Sequence, residues 1–403
     1  MYKILSLDGG GSWSLLQLLT LRERFPDKSG HAILREFDMV IANSGGSIVL
    51  AALVEDWTIE KALSLFKDKK IRQSIFSKNS FSDRFFPTDY IGLFSSFGPK
   101  YSSKKKGEAF KAIFKESNKR QMEALPGFIG KKELKLIVCT YDALNNRAKF
   151  FRSFGSGPYF DSVRLTQAIN GSSNAPIQYF DFPARFKAKN TEVFFELWDG
   201  ALGGFNNPVA AGVIEAIKAG VPKDTIEVVT IGTSNKLMSN ADKKLFYDNK
   251  QVSIKERRKK LRFWRLKYPL RFFMSSIMNQ AKTILYEPPD WSNYMAYMYL
   301  FGEQYATGNQ QENIKRFIRL SPLIHIDKNT PTELLELMGL LYGMDMNLTE
   351  DAEIARVEEC FAAWRNGTIL NQTIEFSVTR ENEIISTIGH SRYADAMADW
   401  KRD

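Results

Sequence analysis

Phe37-Asp-Met-Val-Ile-Ala-Asn-Ser-Gly-Gly-Ser-Ile-Val-Leu-Ala-Ala-Leu53 is the stretch that decides the fold. Met39, Val40 and Ile41 form a short apolar run suited to a buried strand. Asn43 to Ser47 is a turn cluster, and Ile48 to Leu53 opens an apolar helix. Strand, sharp turn and helix lift one hydroxyl out of the backbone at a helix N-terminus. Ser44 is the candidate nucleophile. The frame Ala42-Asn43-Ser44-Gly45-Gly46 keeps the second glycine of a Gly-x-Ser-x-Gly elbow, Gly46, with alanine in the first slot. A plain helix cap would also put a serine here, so the reading depends on the rest of the chain.

Upstream, Lys3 to Leu7 reads as a strand ending in Asp8-Gly9-Gly10-Gly11-Ser12, followed by a helical pattern of leucines. Contiguous glycines at a helix N-terminus expose backbone N–H groups to an anion, either a phosphate or a developing oxyanion. The nucleotide fingerprints need different glycine spacing and a following Lys-Ser/Thr. Gly9, Gly10 and Gly11 therefore fit an oxyanion loop better.

Downstream, Trp57 to Lys70 and Tyr101 to Arg120 read as helices, and Phe76 to Phe97 as a long irregular segment. Leu134 to Thr140, Lys149 to Arg152, Phe194 to Trp198 and Ile226 to Ile231 read as strands, and Leu165 to Ile169 as a short helix before Asn170-Gly-Ser-Ser-Asn-Ala-Pro176. Asp199 follows the strand Phe194 to Trp198 at once and enters the glycine turn Gly200-Ala-Leu-Gly-Gly204, which displays its carboxyl. Pro208 opens another helix. Strands alternating with helices predict an α/β fold: three layers, a mostly parallel central sheet flanked by helices, and a helical C-terminal region. Glycine turns at the carboxyl ends of strands would bring Ser44, Asp199 and the Gly9–Gly11 loop to one edge.

Composition is that of a globular protein, at 44% hydrophobic and 25% charged residues. Cys139 and Cys360 are far apart and outside any metal-ligand spacing, so neither a disulfide framework nor a metal site is expected. There is no secretory signal pattern and no apolar run long enough to cross a bilayer. The net charge of +10 is concentrated in Lys100–Lys106 and Lys255–Arg271. Such runs favour an anionic partner: phospholipid head groups, nucleic acid or an acidic protein.

Taken in chain order, Asp8-Gly-Gly-Gly-Ser-Trp-Ser14, Ala42-Asn-Ser-Gly-Gly46 and Asp199-Gly-Ala-Leu-Gly-Gly-Phe-Asn-Asn-Pro208 resemble the patatin-like phospholipase family. Its pattern is an oxyanion loop Asp-Gly-Gly-Gly-x-Arg-Gly, then Gly-x-Ser-x-Gly, then Asp-Gly-Gly/Ala with a nearby Asn-Pro. Ser172 to Pro176 and Ile231-Gly-Thr233 are softer matches. The resemblance covers residues 3 to about 235. It departs at Trp13, where the family has a cation, and at Ala42.

A serine needs a proton acceptor. Of His31, His325 and His390, only His390 completes a Ser…Asp…His order. The resemblance implies instead a dyad in which Asp199 acts directly on Ser44, with oxyanion donors from Gly9, Gly10 and Gly11, Gly46 supporting the elbow, and no cofactor or metal. It implies a lipid acyl hydrolase of phospholipase A or lysophospholipase type. The alternatives are a triad hydrolase of a soluble ester and a silent membrane- or anion-binding protein. The expected layout is a catalytic domain over residues 1–250 and a mainly helical region over 251–403. Within the latter, the segment 254–278 interleaves nine cations with aromatic residues, which suits an anionic membrane surface or a core helix with a solvated face. The expected setting is cytoplasmic, peripheral to an anionic phospholipid membrane, with delivery by a dedicated secretion system and an activating small molecule or protein as further options. No nucleic-acid partner is expected, since no nucleic-acid fold signature is present.

Overall fold

The computed structural model describes residues 1–78, 99–155, 162–176, 179–189, 192–236, 290–305, 310–327, 329–379 and 383–402. The basic-aromatic segment 254–278 and most of the irregular stretch 76–97 lie outside the described residues.

Eight strands form the central sheet: β1 (Tyr2–Leu7), β2 (Met39–Asn43), β3 (Lys135–Asp142), β4 (Arg147–Arg152), β5 (Ala184–Lys187), β6 (Phe194–Asp199), β7 (Ile226–Ile231) and, after the short β8 (Asn235–Lys236), β9 (Phe317–Leu320). The order is β5-β6-β3-β2-β1-β7-β9, with β4 also on β3. The β3-β2-β1-β7-β9 half is parallel; β4 and β6 pair antiparallel with β3, and β5 pairs antiparallel with β6.

Alternation along β2 builds the three layers, because successive side chains leave opposite faces of a strand. Val40 and Ala42 join Leu16, Leu19, Val49 and Leu53 on one face. Met39 and Ile41 join Val209, Val213, Tyr297 and Phe301 on the other. The first face carries the helices Leu15–Arg24 and Ser44–Val54, and the second carries Val209–Lys218 and Asp290–Tyr305. Every residue of Ser44–Val54 is buried, which is why its sequence is apolar all round.

Two expected helices are each divided. Trp57 to Lys70 becomes Ile59–Lys67 and Lys69–Ile75, because the Asp68 carboxylate caps the second by accepting from the Lys70 and Ile71 N–H groups. Tyr101 to Arg120 becomes Ser103–Ile113 and Lys115–Lys119, broken at Phe114.

Strand pairing explains how the two halves of the sheet meet. Residues 137–139 of β3 pair with β2 and β4 at once, and residues 140–142 pair with β6 and β4 at once. So β2 and β6 share one edge of β3, end to end and running toward each other. Asn43 stands opposite Cys139 and Asp199 opposite Thr140. Their carboxyl ends collide, and the turn residues that follow must share one small volume.

Candidate active site

Ser44 sits at the point of that collision. Its φ of 48° is a left-handed conformation that a non-glycine residue adopts only under constraint. The constraint is visible: the Ser44 N–H donates to Ser172 Oγ at 2.8 Å, and the Ser47 hydroxyl donates to the Ser44 carbonyl at 2.6 Å. Close approach behind the turn needs glycine, since a β-carbon on Gly46 would lie 2.5 Å from the Leu7 carbonyl oxygen. That contact packs the elbow helix directly on the end of β1.

Asp199 ends β6 but is not displayed as the glycine turn led one to expect: it is buried, 2% exposed, because the turns after β2 and β6 pack into one volume. One carboxylate oxygen, Oδ1, accepts from Asn43 Nδ2 and from the Ala201 N–H, both at 3.0 Å. The Ser44 side chain lies near enough to this carboxylate to favour its ionised form. Burial raises its pKa above the ordinary aspartate value, against the opposing pull of the Ala201 N–H, Ser44, Asn43 and the Lys106 ammonium. A carboxylate whose pKa is raised by burial is a stronger base than one in water.

The glycine loop lies against the elbow, a β-carbon on Gly9 falling 3.0 Å from Ser44 Cβ. Its N–H groups are not equivalent. Gly9 donates to the Asn206 carbonyl at 2.7 Å, whereas the Gly10 and Gly11 N–H groups have no acceptor among the described residues. Gly11 and Ser44 line one pocket with about 330 Å³ of empty volume, otherwise walled mainly by Ile48, Ile75, Phe76, Phe180 and Met346.

Residues far downstream in the chain hold the loop in place. Arg319 of β9 forms a buried ion pair with Asp8 at 2.7 Å, and it also bonds Thr230 and Gln372. Burial still pushes the Asp8 carboxyl up to about 6. Thr233 Oγ1 donates to the Gly9 carbonyl at 2.6 Å, Ser12 N–H to Met346 O at 2.9 Å, and Trp13 Nε1 to Asp345 O at 3.0 Å. Trp13 is buried, with the Lys236 ammonium 4.6 Å from its ring centre.

No histidine is among the partners of Ser44 or Asp199. His390 Nε2 meets Asp399 Oδ2 at 2.7 Å, and His31 Nε2 meets the Val54 carbonyl. Sequence reasoning missed Asn43, Ser172 and Lys106. Asn43 had a signal, being the last strand residue before the turn. Ser172 lay in the noted Ser-Ser-Asn-Ala-Pro turn, and Lys106 was hidden in a basic run that read as a whole as favouring an anionic partner.

The sequence model of the patatin-like phospholipase family matches residues 5–213. No curated protein sequence matches the chain. Among solved structures, VipD from Legionella pneumophila aligns at 11% identity and a TM-score of 0.34, over 90% of this chain and 67% of VipD. The type III effector protein ExoU aligns at 12% identity and a TM-score of 0.24, over 89% of this chain and 88% of ExoU. No helix among the described residues is long and apolar enough to cross a membrane.

Proposed function

The chain belongs to the patatin-like phospholipase family, and on that premise we propose that it hydrolyses fatty-acyl esters of phospholipids with Ser44 as nucleophile and Asp199 as general base. Asp199 takes the hydroxyl proton as Ser44 Oγ attacks the ester carbonyl. The Gly10 and Gly11 N–H groups receive the oxyanion. The leaving alcohol carries away the proton from Asp199, and the acyl group stays on Ser44. Asp199 then takes a proton from water as its oxygen attacks the acyl carbonyl, and returns that proton to Ser44 Oγ as the Ser44–acyl bond breaks, freeing the fatty acid and restoring the serine hydroxyl and the carboxylate.

The observation that carries this reading is the end-to-end meeting of β2 and β6, which sets Ser44 beside the buried Asp199 carboxylate, with no histidine among the hydrogen-bond partners of either. A triad through His390 finds less support, because the His390 ring is engaged by Asp399. The two basic runs suit work at an anionic membrane surface, with the protein cytoplasmic and peripheral to it.

Labelling tests the assignment without requiring the natural lipid. A fluorophosphonate probe, losing fluoride as its phosphorus bonds to the nucleophile, should attach to one residue, Ser44, and should do so at least about tenfold more slowly in Asp199→Asn. Attachment at another serine, or an unchanged rate in Asp199→Asn, contradicts the assignment.

A further inference from the structure

Lys106 is wholly buried, although its neighbours Lys104 and Lys105 on the same helical turn reach solvent. Its ammonium donates to the Asn170 carbonyl at 3.0 Å and to Ser173 Oγ at 3.3 Å, and lies 4.0 Å from the Phe180 ring centre. All three partners are uncharged. Among the described residues no carboxylate comes within ion-pair range, and Asp199 and Asp181 act on it only through space. An ammonium without a counter-charge costs several kcal/mol to bury. Burial accordingly pushes its pKa well below the ordinary lysine value.

Capping explains part of this. Asn170 lies in the last turn of the helix Leu165–Ser172, and lysine commonly serves terminal carbonyls. A cap, however, needs only an amine within reach, as a snorkelling lysine at the surface provides. It does not require the cation to be withdrawn into the pocket that also holds Ser44 and Gly11, where the other walls are mainly apolar. Burial holds an amine in such a pocket toward its neutral form, and a ligand that brings negative charge favours the ammonium and pairs with it.

On the catalytic reading of Ser44 given above, we infer that Lys106 is a specificity-determining residue that binds the phosphodiester of a glycerophospholipid while an ester of the same glycerol lies at Ser44. A neutral acylglycerol presents the same ester and leaves the cation unpaired, and that difference produces the discrimination.

The test compares dihexanoyl phosphatidylcholine with dihexanoylglycerol, using the full chain as wild type, Lys106→Met and Lys106→Arg, each checked for folding by thermal melting. The ratio of kcat/KM for the phospholipid over the glyceride should fall by about tenfold or more in Lys106→Met, chiefly through KM, and should partly return in Lys106→Arg. Both activities falling together at an unchanged ratio would make Lys106 a helix cap and overturn the inference. A binding arm in the Ser44→Ala background separates this inference from the catalytic reading. Dihexanoyl phosphatidylcholine should bind there and lose affinity on adding Lys106→Met, even if wild type hydrolyses neither lipid. Phospholipid binding that ignores Lys106→Met, or inorganic phosphate binding as tightly as the phospholipid, would overturn it.

Discussion

At the scale of single residues, the account turns on how Asp199 can be a base at all. An exposed aspartate with a pKa near 3.9 is a weak acceptor, and burial is what raises this one. The sign follows: the carboxylate works only when ionised, so kcat/KM should fall as pH drops through a value above the ordinary aspartate range. Asn43 Nδ2 bonds the ionised form, so Asn43→Ala should move that acid limb to higher pH. A pH–rate profile with the limb unmoved, or moved down, would detach Asn43 from the base. Gly11 offers a second check. With φ at +57° and a β-carbon 2.5 Å from the Met346 carbonyl oxygen, Gly11→Ala should displace a proposed oxyanion donor and cost roughly 10²-fold or more in kcat. Ser44 and Asp199 were legible because each stands where an apolar run stops abruptly in small residues. Lys106 was not, since nothing local distinguishes it from Lys104 and Lys105.

At the scale of elements, the end-to-end meeting of β2 and β6 brings serine and aspartate together, and β9 steadies the loop between them. Short, near-continuous apolar runs made β1, β2, β3 and β7 readable. Two features were not readable. The antiparallel entry of β6 depends on which edge of β3 remains free, a question of pairing across more than fifty residues. β9 is a four-residue edge strand, Phe-Ile-Arg-Leu, with a fully buried arginine, a composition that argues against a buried strand until Asp8 is known to face it. That pair gives a stability prediction. Arg319→Met or Asp8→Asn alone strands a buried charged or polar partner and should cost about 3–5 kcal/mol, whereas the double variant should cost less than the sum. Urea denaturation of the four proteins measures the coupling, and simple additivity would mean that the ion pair does not hold the loop.

At the scale of the molecule, the family match ends at residue 213, yet the sheet continues into β9, and Asp345, Met346, Thr233 and Arg319 all reach the glycine loop. The parts beyond the match are therefore structural members of the site. The net charge of +10 carries a further expectation: binding to vesicles containing anionic phospholipid should weaken steeply between about 0.05 and 0.5 M salt, because screening shortens the reach of surface charge. Salt-independent sedimentation with vesicles would point to an apolar attachment instead. The most direct test of the central claim is fatty-acid release from mixed anionic phospholipid vesicles by wild type, Ser44→Ala, Asp199→Asn and His390→Ala in one assay. The account predicts release by wild type and His390→Ala and loss in the other two. Loss in His390→Ala with its fold intact, or release that survives Asp199→Asn, would contradict it.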